Sequence, residues 1–346
     1  MKKHRLSIDD IAQSLGVSKT LVSLVINGKA ENYGIATETR QRVMAKANEL
    51  GYQANHIARS LRLGKSFTIG LIVSDIANPF YAQAARLLED HAYINDYTLI
   101  TCSTDEDIEK EKKILQNFIE KQVDGIIISS SQVQQSILEK HYHKGLPIVL
   151  IDRTVKGSDL PSVSVDNAQG AYLATKHLVF QGFHRPMALA ITPSHISTIK
   201  SRVDGYTKAL AEKNLQPRIY EISYNNSFSE VETLLKNLYR QNSFPDSIFT
   251  LNNNLATAVL HTLNLLHLEI PRQVGLISFD DVSFFSFMNP GISAISQPIE
   301  KICQTAFRLL INQIEKSTDK KNINQVVLPV NLRIRQSTQK NTHTNH

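Results

Sequence analysis

The sequence lacks several features that define common classes of protein. Among its 346 residues are only two cysteines, Cys102 and Cys303, and their separation matches no metal-binding or redox spacing, which favours a reducing compartment. No apolar run approaches the roughly 18 residues that cross a bilayer. No glycine-rich phosphate loop, G-x-S-x-G motif or zinc-binding spacing occurs, so the sequence predicts neither an enzyme nor a bound metal or cofactor.

The first residues do not have the composition of an export signal. Lys2, Lys3 and Arg5 supply positive charge, but Asp9 and Asp10 stand where the apolar segment of a signal should lie. With 42% hydrophobic and 20% charged residues, the chain has the composition of a globular protein rather than a disordered one. We therefore expect a cytoplasmic protein that does not associate with a membrane.

The net charge is concentrated at the beginning of the chain. Residues 1–65 hold eleven Lys and Arg against five Asp and Glu, which equals the whole formal excess of +6, and the residues after them contain 27 of each sign. This segregation predicts a polyanionic partner for the N-terminal part. The length of the chain allows two or three domains.

Two short helices joined by a glycine-containing turn are predicted in the basic segment. The first covers residues 7–14, Gly16-Val17-Ser18 makes the turn, and the second extends from Lys19 to Ile26. A third helix covers about Thr37 to Leu50. Two helices with such a turn on a basic background are typical of a helix-turn-helix, whose second helix enters the major groove of DNA. A small three-helix bundle without this function is the alternative.

From Phe67 onward, short apolar runs alternate with amphipathic stretches. The predicted buried strands are Thr68–Val73, Tyr97–Cys102, Val123–Ile128, Ile148–Ile151, Met187–Ile191, Ser247–Leu251 and Val274–Phe279. Helical periodicity between them predicts parallel sheets with helices on both faces. Because this part is too long for one small sheet, we expect two lobes, with a crossover in Asp152–Val165. Ligands of such folds bind between the lobes, at the carboxyl ends of strands.

An ordered set of short motifs resembles the lactose repressor (LacI) family. In the N-terminal part the motifs are Ser7-Ile8-Asp9-Asp10-Ile11-Ala12, Gly16-Val17-Ser18-Lys19-Thr20-Leu21-Val22-Ser23 and Asn27-Gly28. The later motifs are Ala58-Arg59-Ser60-Leu61, Thr68-Ile69-Gly70-Leu71-Ile72-Val73, Asn78-Pro79-Phe80-Tyr81, Val123-Asp124-Gly125-Ile126-Ile127, Ile151-Asp152-Arg153 and Phe279-Asp280-Asp281. No single motif is decisive, but together they follow the order of the family from residue 5 to about residue 338.

The resemblance implies four parts of the chain. Residues 1–54 would form a helix-turn-helix DNA-binding domain, 55–66 a hinge helix and linker, 67–338 a two-lobed effector-binding and dimerisation domain, and 339–346 a disordered tail. The implied fold class is an all-α head followed by an α/β core of two doubly wound parallel-sheet lobes, similar to periplasmic sugar-binding proteins.

The resemblance also implies, by position, the residues that contact DNA. Ser18 and Asn27 would contact phosphate, whereas Lys19 and Thr20 would face base edges; for Lys19, a non-specific phosphate contact is an equally good alternative. Leu24 stands where the family usually has an arginine, so it offers only apolar contact, for example to a thymine methyl group. The full implied set is Ser18, Lys19, Thr20, Ser23, Leu24, Asn27, Arg59, Leu61 and Arg62.

In the hinge, the resemblance implies a wedge that enters the minor groove. Leu61 occupies the position at which the family inserts a leucine and kinks the duplex, with Arg59 and Arg62 near the backbone. Packing of Leu61 against the head is the alternative. Ala54 replaces the proline that usually precedes Asn55, so we expect a less rigid start of the hinge.

Polar and aromatic residues follow the predicted strands of the core. A sugar requires carboxylate, guanidinium and amide groups for its hydroxyls, and an aromatic face for its C–H surface. The resemblance supports Arg202, Asn252 and Asp280 most directly, whereas capping of the next turn is at least as good an assignment for Asp281. The candidate effector-binding residues are Asn78, Phe80, Tyr81, Asp152, Arg153, Arg202, Phe228, Asn252 and Asp280.

These observations predict a ligand-responsive transcriptional regulator. We expect a homodimeric repressor of carbohydrate-utilisation genes that binds a pseudo-palindromic operator in double-stranded DNA and is switched by a small sugar-like effector. Effector binding would change the angle between the lobes and separate the hinges. A solute-binding transport protein of the sugar-binding type is the alternative, against which the basic head and the missing export signal argue.

Overall fold

The computed structural model describes residues 6–52, 64–132, 136–154, 157–193, 196–315 and 325–340. They belong to two compact units, one up to Ser66 and one from Phe67 onward. The predicted hinge residues Arg59, Leu61 and Arg62 lie outside the described residues, so their implied roles stay predictions.

The described part of the head is a bundle of three α-helices, α1 (Ile8–Leu15), α2 (Lys19–Ile26) and α3 (Thr37–Glu49). Ser7 begins α1 with a capping box: its hydroxyl accepts from the amide of Asp10, and its own amide donates to the Asp10 carboxylate. Gly16 ends α1 with φ 64°, a left-handed conformation that glycine adopts without steric cost. The core of the bundle consists of Ile11, Ala12, Val22, Val25, Ala30, Val43 and Ala47.

Each lobe of the core contains a six-stranded sheet. The first sheet contains β1 (Thr68–Val73), β2 (Thr98–Ser103), β3 (Gly125–Ile128), β4 (Ile148–Ile151), β5 (Ser162–Val165) and β11 (Gln325–Leu328). The second contains β6 (Pro186–Thr192), β7 (Ile219–Ser223), β8 (Ser247–Thr250), β9 (Gly275–Phe279), β10 (Ser293–Ser296) and β12 (Asn331–Arg333). The spatial orders are β11-β5-β4-β3-β1-β2 and β12-β10-β9-β8-β6-β7, and the pairs are parallel except for β10 with β12. The two lobes therefore repeat one topology.

Helices connect the strands of each lobe. Those of the first lobe are α4 (Pro79–Ile94), α5 (Ile108–Glu120), α6 (Ser136–His143) and α11 (Ile299–Ile314). Those of the second lobe are α7 (Asn167–Phe180), α8 (Ser197–Ala211), α9 (Ser227–Arg240) and α10 (Asn253–Leu265). None of the helices formed by the described residues combines the length and apolar character that a membrane span needs. The predicted fold class is confirmed, and all seven predicted strands form.

The predicted crossover in Asp152–Val165 is wrong. Ser162–Val165 form β5, which pairs in parallel with β4, so the chain leaves the first lobe only after Val165. This strand alternates serine with valine, and its four residues are all buried. Because of this alternation the segment lacks the continuous apolar run by which the other buried strands were predicted. It nevertheless lies inside the sheet, between β4 and β11.

The last described residues remain attached to the core. Lys340, assigned to the tail from the sequence, donates from its ammonium group to the carbonyl oxygen of Gly182 at 3.0 Å and lies over the ring of Phe183. The ordered core therefore extends at least to Lys340, and residues 341–346 lie outside the described part of the chain.

Candidate DNA-binding helix and effector cleft

Helix α2 has one side in the core of the head and one side in solvent. Val22 and Val25 are buried, which places the residues predicted to contact DNA on the other side. Ser18, Lys19 and Thr20 are exposed, and Ser23, Leu24 and Asn27 are partly exposed. The described members of the predicted set are thus placed where a DNA duplex would have access to them.

Two of the predicted phosphate contacts also hold the ends of α2. Ser18 Oγ accepts from the amide of Leu21 at 3.2 Å, and because a hydroxyl both accepts and donates, its hydrogen stays available to a phosphate oxygen. The side-chain amide of Asn27 donates to the carbonyl oxygen of Ser23 at 2.5 Å, which fixes it at the last turn. These contacts orient both side chains without DNA.

Lys19 is paired with an acidic residue of the neighbouring helix. Its Nζ lies 2.6 Å from Oδ2 of Asp9, in the first turn of α1, and both side chains are more than half exposed. Exposed pairs of this kind contribute little to stability. A contact of Lys19 with DNA must therefore compete with Asp9.

A polar cleft lies between the two lobes, at the carboxyl ends of their strands. Eight of the nine candidate effector-binding residues line it: Asn78, Phe80, Tyr81, Asp152, Arg153, Arg202, Asn252 and Asp280. Phe228 is not among the lining residues. It lies in the first turn of α9, its side chain is half exposed, and its ring is 6.3 Å from the imidazole of His261 on α10.

The first lobe contributes a buried network of hydrogen bonds. The hydroxyl of Tyr81 donates to Oδ2 of Asp152 at 2.8 Å, and burial raises the pKa of Tyr81, so this hydroxyl remains a donor. Arg153 forms a bidentate ion pair with Glu106, with distances of 2.5 Å from Nη2 to Oε1 and 2.7 Å from Nη1 to Oε2. The first lobe therefore presents one guanidinium and two carboxylates to the cleft.

The second lobe contributes Arg202, from α8. Its Nε donates to Oδ1 of Asn167 at 2.8 Å, and its Nη1 donates to the carbonyl oxygen of Leu251 at 2.6 Å. Nη1 also lies 3.9 Å from Oδ2 of Asp280, and the guanidinium carbon is 3.6 Å from the centre of the Phe279 ring. Contacts on several sides hold this buried side chain in one orientation.

Asp152 and Asp280 occupy equivalent places in the two lobes. Asp152 follows β4 and Asp280 follows β9, and both have left-handed backbone conformations, with φ of 63° and 72°. Strained conformations of non-glycine residues cluster at ligand sites. Burial raises the pKa of Asp280, and the side-chain amide of Gln297 donates to its Oδ1 at 2.6 Å.

Asn78 and Asn252 act as helix caps at the cleft. Their side-chain oxygens accept from the amides of Phe80 and Leu255, at the starts of α4 and α10. Asp281, by contrast, is held outside the cleft by a bidentate pair with Arg335, at 2.8 and 2.9 Å. The sequence offered Asp281 two assignments, effector binding or capping of the next turn. In the structure Asp281 has a structural role, but it pairs with Arg335 instead of capping a turn.

Sequence reasoning missed Glu106, Tyr224 and Gln297, which also line the cleft. Each lies within a few residues of the end of a strand, after β2, β7 and β10, respectively. The rule that found Asp152 and Asp280 would have found Glu106 if it had been applied three residues further along the chain. Tyr224 and Gln297 follow strands that were not predicted.

Two buried polar atoms at the cleft have no hydrogen-bond partner among the described residues. They are Nε of Arg153, a donor, and Oε1 of Gln297, an acceptor. Buried polar atoms in proteins are generally paired, so both atoms are available to a ligand in the cleft. A ligand with hydroxyl groups, which both donate and accept, fits this combination.

Two protein families match the chain. Residues 7–55 match the family described as "Bacterial regulatory proteins, lacI family", and residues 66–336 match "Periplasmic binding proteins and sugar binding domain of LacI family". The chain belongs to the LacI family. It is a DNA-binding transcriptional regulator with a core of the sugar-binding type, as the ordered motifs predicted, and its relatives are regulators rather than enzymes.

Individual relatives and solved structures cover 78% or more of this LacI-family chain. Catabolite control protein A of Priestia megaterium is 32% identical over 338 residues, which are 96% of this chain and 99% of the relative. A periplasmic binding protein/LacI transcriptional regulator from Alkaliphilus metalliredigens, solved with D-xylulofuranose, is 29% identical with a TM-score of 0.70 and covers 78% of this chain and 98% of its own. The lac repressor dimer bound to operator and the anti-inducer ONPF shares the fold, with a TM-score of 0.82 at 23% identity over 97% of this chain and 99% of its own.

Proposed function

We propose that this LacI-family regulator is a cytoplasmic, homodimeric repressor of carbohydrate-utilisation genes whose effector is a small sugar. The single observation that supports a sugar best is the composition of the cleft, where carboxylates, guanidiniums and amides from both lobes surround two unpaired polar atoms. The relative from Alkaliphilus metalliredigens, whose solved structure contains D-xylulofuranose, supports the same class of ligand.

A sugar in this cleft would touch both lobes at once. Hydrogen bonds already join the lobes there, including those from the side-chain amide of Asn253 to Oδ1 of Asn78 at 3.3 Å and from the amide of Thr154 to Oγ of Ser197 at 3.0 Å. A ligand that inserts between these groups changes how the lobes contact each other. Such a change of angle between packed bodies is a common way to couple two sites.

We further propose a homodimer whose two heads bind one operator. A two-fold dimer presents two copies of α2 to two half-sites of a pseudo-palindrome. The lac repressor, whose fold this chain shares, has been solved as a dimer on its operator. We propose the same arrangement here, with Ser18, Lys19, Thr20, Ser23, Leu24 and Asn27 on the DNA.

The test combines two measurements on the full chain. Thermal unfolding is recorded with D-xylulose, D-ribose, D-xylose and D-glucose, because a ligand that binds only the folded state raises its apparent stability. The operator, selected from random duplexes, is then titrated with and without the stabilising sugar. We expect operator affinity to change by about tenfold or more, a typical coupling between two sites.

Three outcomes would contradict parts of this proposal. Sugar binding that leaves operator affinity unchanged would contradict the control of DNA binding by the sugar. If the chain binds its operator but none of the sugars stabilises it, the proposal of a sugar effector would be contradicted. Sedimentation showing a monomer on a single half-site would remove the homodimer.

The salt dependence of binding provides a second test of the head. The excess positive charge lies in residues 1–65, so we expect phosphate contacts to dominate affinity for any duplex. Affinity should fall by roughly 1,000-fold or more between roughly 50 and 200 mM salt if a dimer makes six or more such contacts. Fluorescence anisotropy with operator and random duplexes measures both slopes, and a flat response would contradict binding through the phosphate backbone.

A further inference from the structure

We propose that Glu106 is a specificity-determining residue of the cleft, which occupies the guanidinium of Arg153 and so restricts the effector to uncharged sugars. Sugar acids and phosphorylated sugars are then excluded. This inference rests on the proposed function, because it names the chemical class of effector that the same cleft accepts.

The ion pair with Glu106 occupies the two terminal nitrogens of Arg153 that an anionic ligand would otherwise contact. Both terminal nitrogens of the guanidinium face the two carboxylate oxygens of Glu106, and each of the two side chains is only 8% exposed. Oγ of Ser131 donates to Oε2 of Glu106 at 2.7 Å, which fixes the carboxylate in place. A bidentate arginine–carboxylate pair is the geometry that also recognises a ligand carboxylate or phosphate, so Glu106 takes the place of such a group.

The pair is stable in its charged form. Burial opposes ionisation of Glu106, but the charge of Arg153 and its hydrogen bonds outweigh burial and lower the pKa of Glu106 below its ordinary value. Burial also works against the charge of Arg153, but the carboxylates of Glu106 and Asp152 and the hydrogen bonds to Glu106 raise the pKa of Arg153. An incoming anion therefore meets a neutralised pair at neutral pH.

The rest of the cleft does not offer a free cation in the described residues. Its lining contains the carboxylates of Glu106, Asp152 and Asp280 against the guanidiniums of Arg153 and Arg202, so carboxylates outnumber cations by one. Nε of Arg153 lies 3.8 Å from Asp152, and Nη1 of Arg202 lies 3.9 Å from Asp280. A buried anion would add a second uncompensated charge, which is costly, whereas a hydroxyl can accept from Nε of Arg153 without one.

The test removes the charge of Glu106 and keeps its shape. In Glu106→Gln the two terminal nitrogens of Arg153 lose their carboxylate partner while a side chain of the same size remains, and Asp152 stays 3.8 Å from Nε. We expect affinity for inorganic phosphate, measured by isothermal titration calorimetry on the full chain, to rise by about tenfold or more over the wild type. We expect the same direction for D-ribonate, whereas binding of its neutral counterpart D-ribose changes much less.

Two further variants control this experiment. Asp105→Asn removes a neighbouring carboxylate that is half exposed and paired with Lys110, so it changes the net charge equally without releasing Arg153. We expect no gain in phosphate affinity there. The double variant Glu106→Gln/Arg153→Gln should lose the gain, because the cation that binds the anion is gone.

The outcomes separate this inference from the proposed function. If the wild type binds none of the sugars, the sugar effector is wrong, yet the phosphate titration of Glu106→Gln still decides the role of Glu106. No gain in that variant, or an equal gain in Asp105→Asn, would overturn the role. A wild type that binds D-ribonate as tightly as D-ribose would overturn it without any variant, even if Glu106→Gln fails to fold.

Discussion

A Gly205→Ala variant is expected to lose at least about 2 kcal/mol of unfolding free energy, although alanine favours helices over glycine by about 1 kcal/mol. Gly205 lies on α8 where it crosses α7. A β-carbon at this position would lie 2.1 Å from the carbonyl oxygen of Ala168 and 3.0 Å from the amide nitrogen of Tyr172. Both obstacles are backbone atoms of α7, which cannot move aside as a side chain does, so the two helices must separate.

The separation should also affect the cleft. Asn167, the first residue of α7, accepts a hydrogen bond from Arg202, which lies one turn before Gly205 on α8. We therefore expect weaker sugar binding together with the loss of stability. Denaturant titration followed by sugar titration measures both effects.

Ala211→Gly provides the matched control on the same helix. Ala211 is exposed in the last turn of α8, so its replacement changes helix propensity without changing packing, at a cost of at most about 1 kcal/mol. A Gly205→Ala variant no less stable than this control would mean that α7 and α8 do not approach as closely as described.

Position in the sheet did not decide which strands could be predicted from the sequence, since the edge strand β2 was predicted and the inner strand β5 was not. β3 and β4 are covered on both faces, so their residues form continuous apolar runs, Gly-Ile-Ile-Ile and Ile-Val-Leu-Ile. β7 lies at the edge of its sheet and includes Tyr220 and Glu221, which interrupt the apolar run. Such strands are recognised only once a neighbour pairs with them.

The same limit applies to the cleft. Asp152 and Asp280 could be found because they directly follow strong apolar runs. The pair of Glu106 with Arg153 could not, because these residues are 47 positions apart and follow β2 and β4, which β1 and β3 separate in the sheet. Phe228 was chosen for its aromatic ring alone, and the ring lies beside His261 instead.

Arg202→Ala is expected to abolish the response to the effector while operator binding is retained. Arg202 is only 4% exposed, and no other cation in the described residues of the second lobe lines the cleft. Its removal deletes the bonds to Asn167 and to the carbonyl oxygen of Leu251, and it leaves Asp280 buried without its nearby positive charge. Breaking a buried ion pair by removing one partner typically costs about 3 to 5 kcal/mol.

Arg202→Ala therefore also lowers the free energy of unfolding. Its effect on the response to the effector must be separated from partial unfolding. Arg335→Ala is the matched control, because it breaks the bidentate pair with Asp281, the residue next to Asp280, outside the cleft. Arg202→Lys tests geometry, because lysine keeps the charge but lacks the planar fork that reaches two acceptors and stacks on Phe279. Operator release by sugar is measured for all three variants at a temperature where each is folded.

We expect no release in Arg202→Ala, release only at about 100-fold or more higher sugar concentration in Arg202→Lys, and unchanged release in Arg335→Ala. The order of these three decides what Arg202 does. Loss of release in Arg335→Ala as well would mean that the switch responds to the stability of the second lobe and not to the guanidinium in the cleft. Full release in Arg202→Lys would mean that positive charge alone is sufficient, and the hydrogen bonds to Asn167 and Leu251 would then hold the fold rather than orient the residue for its ligand.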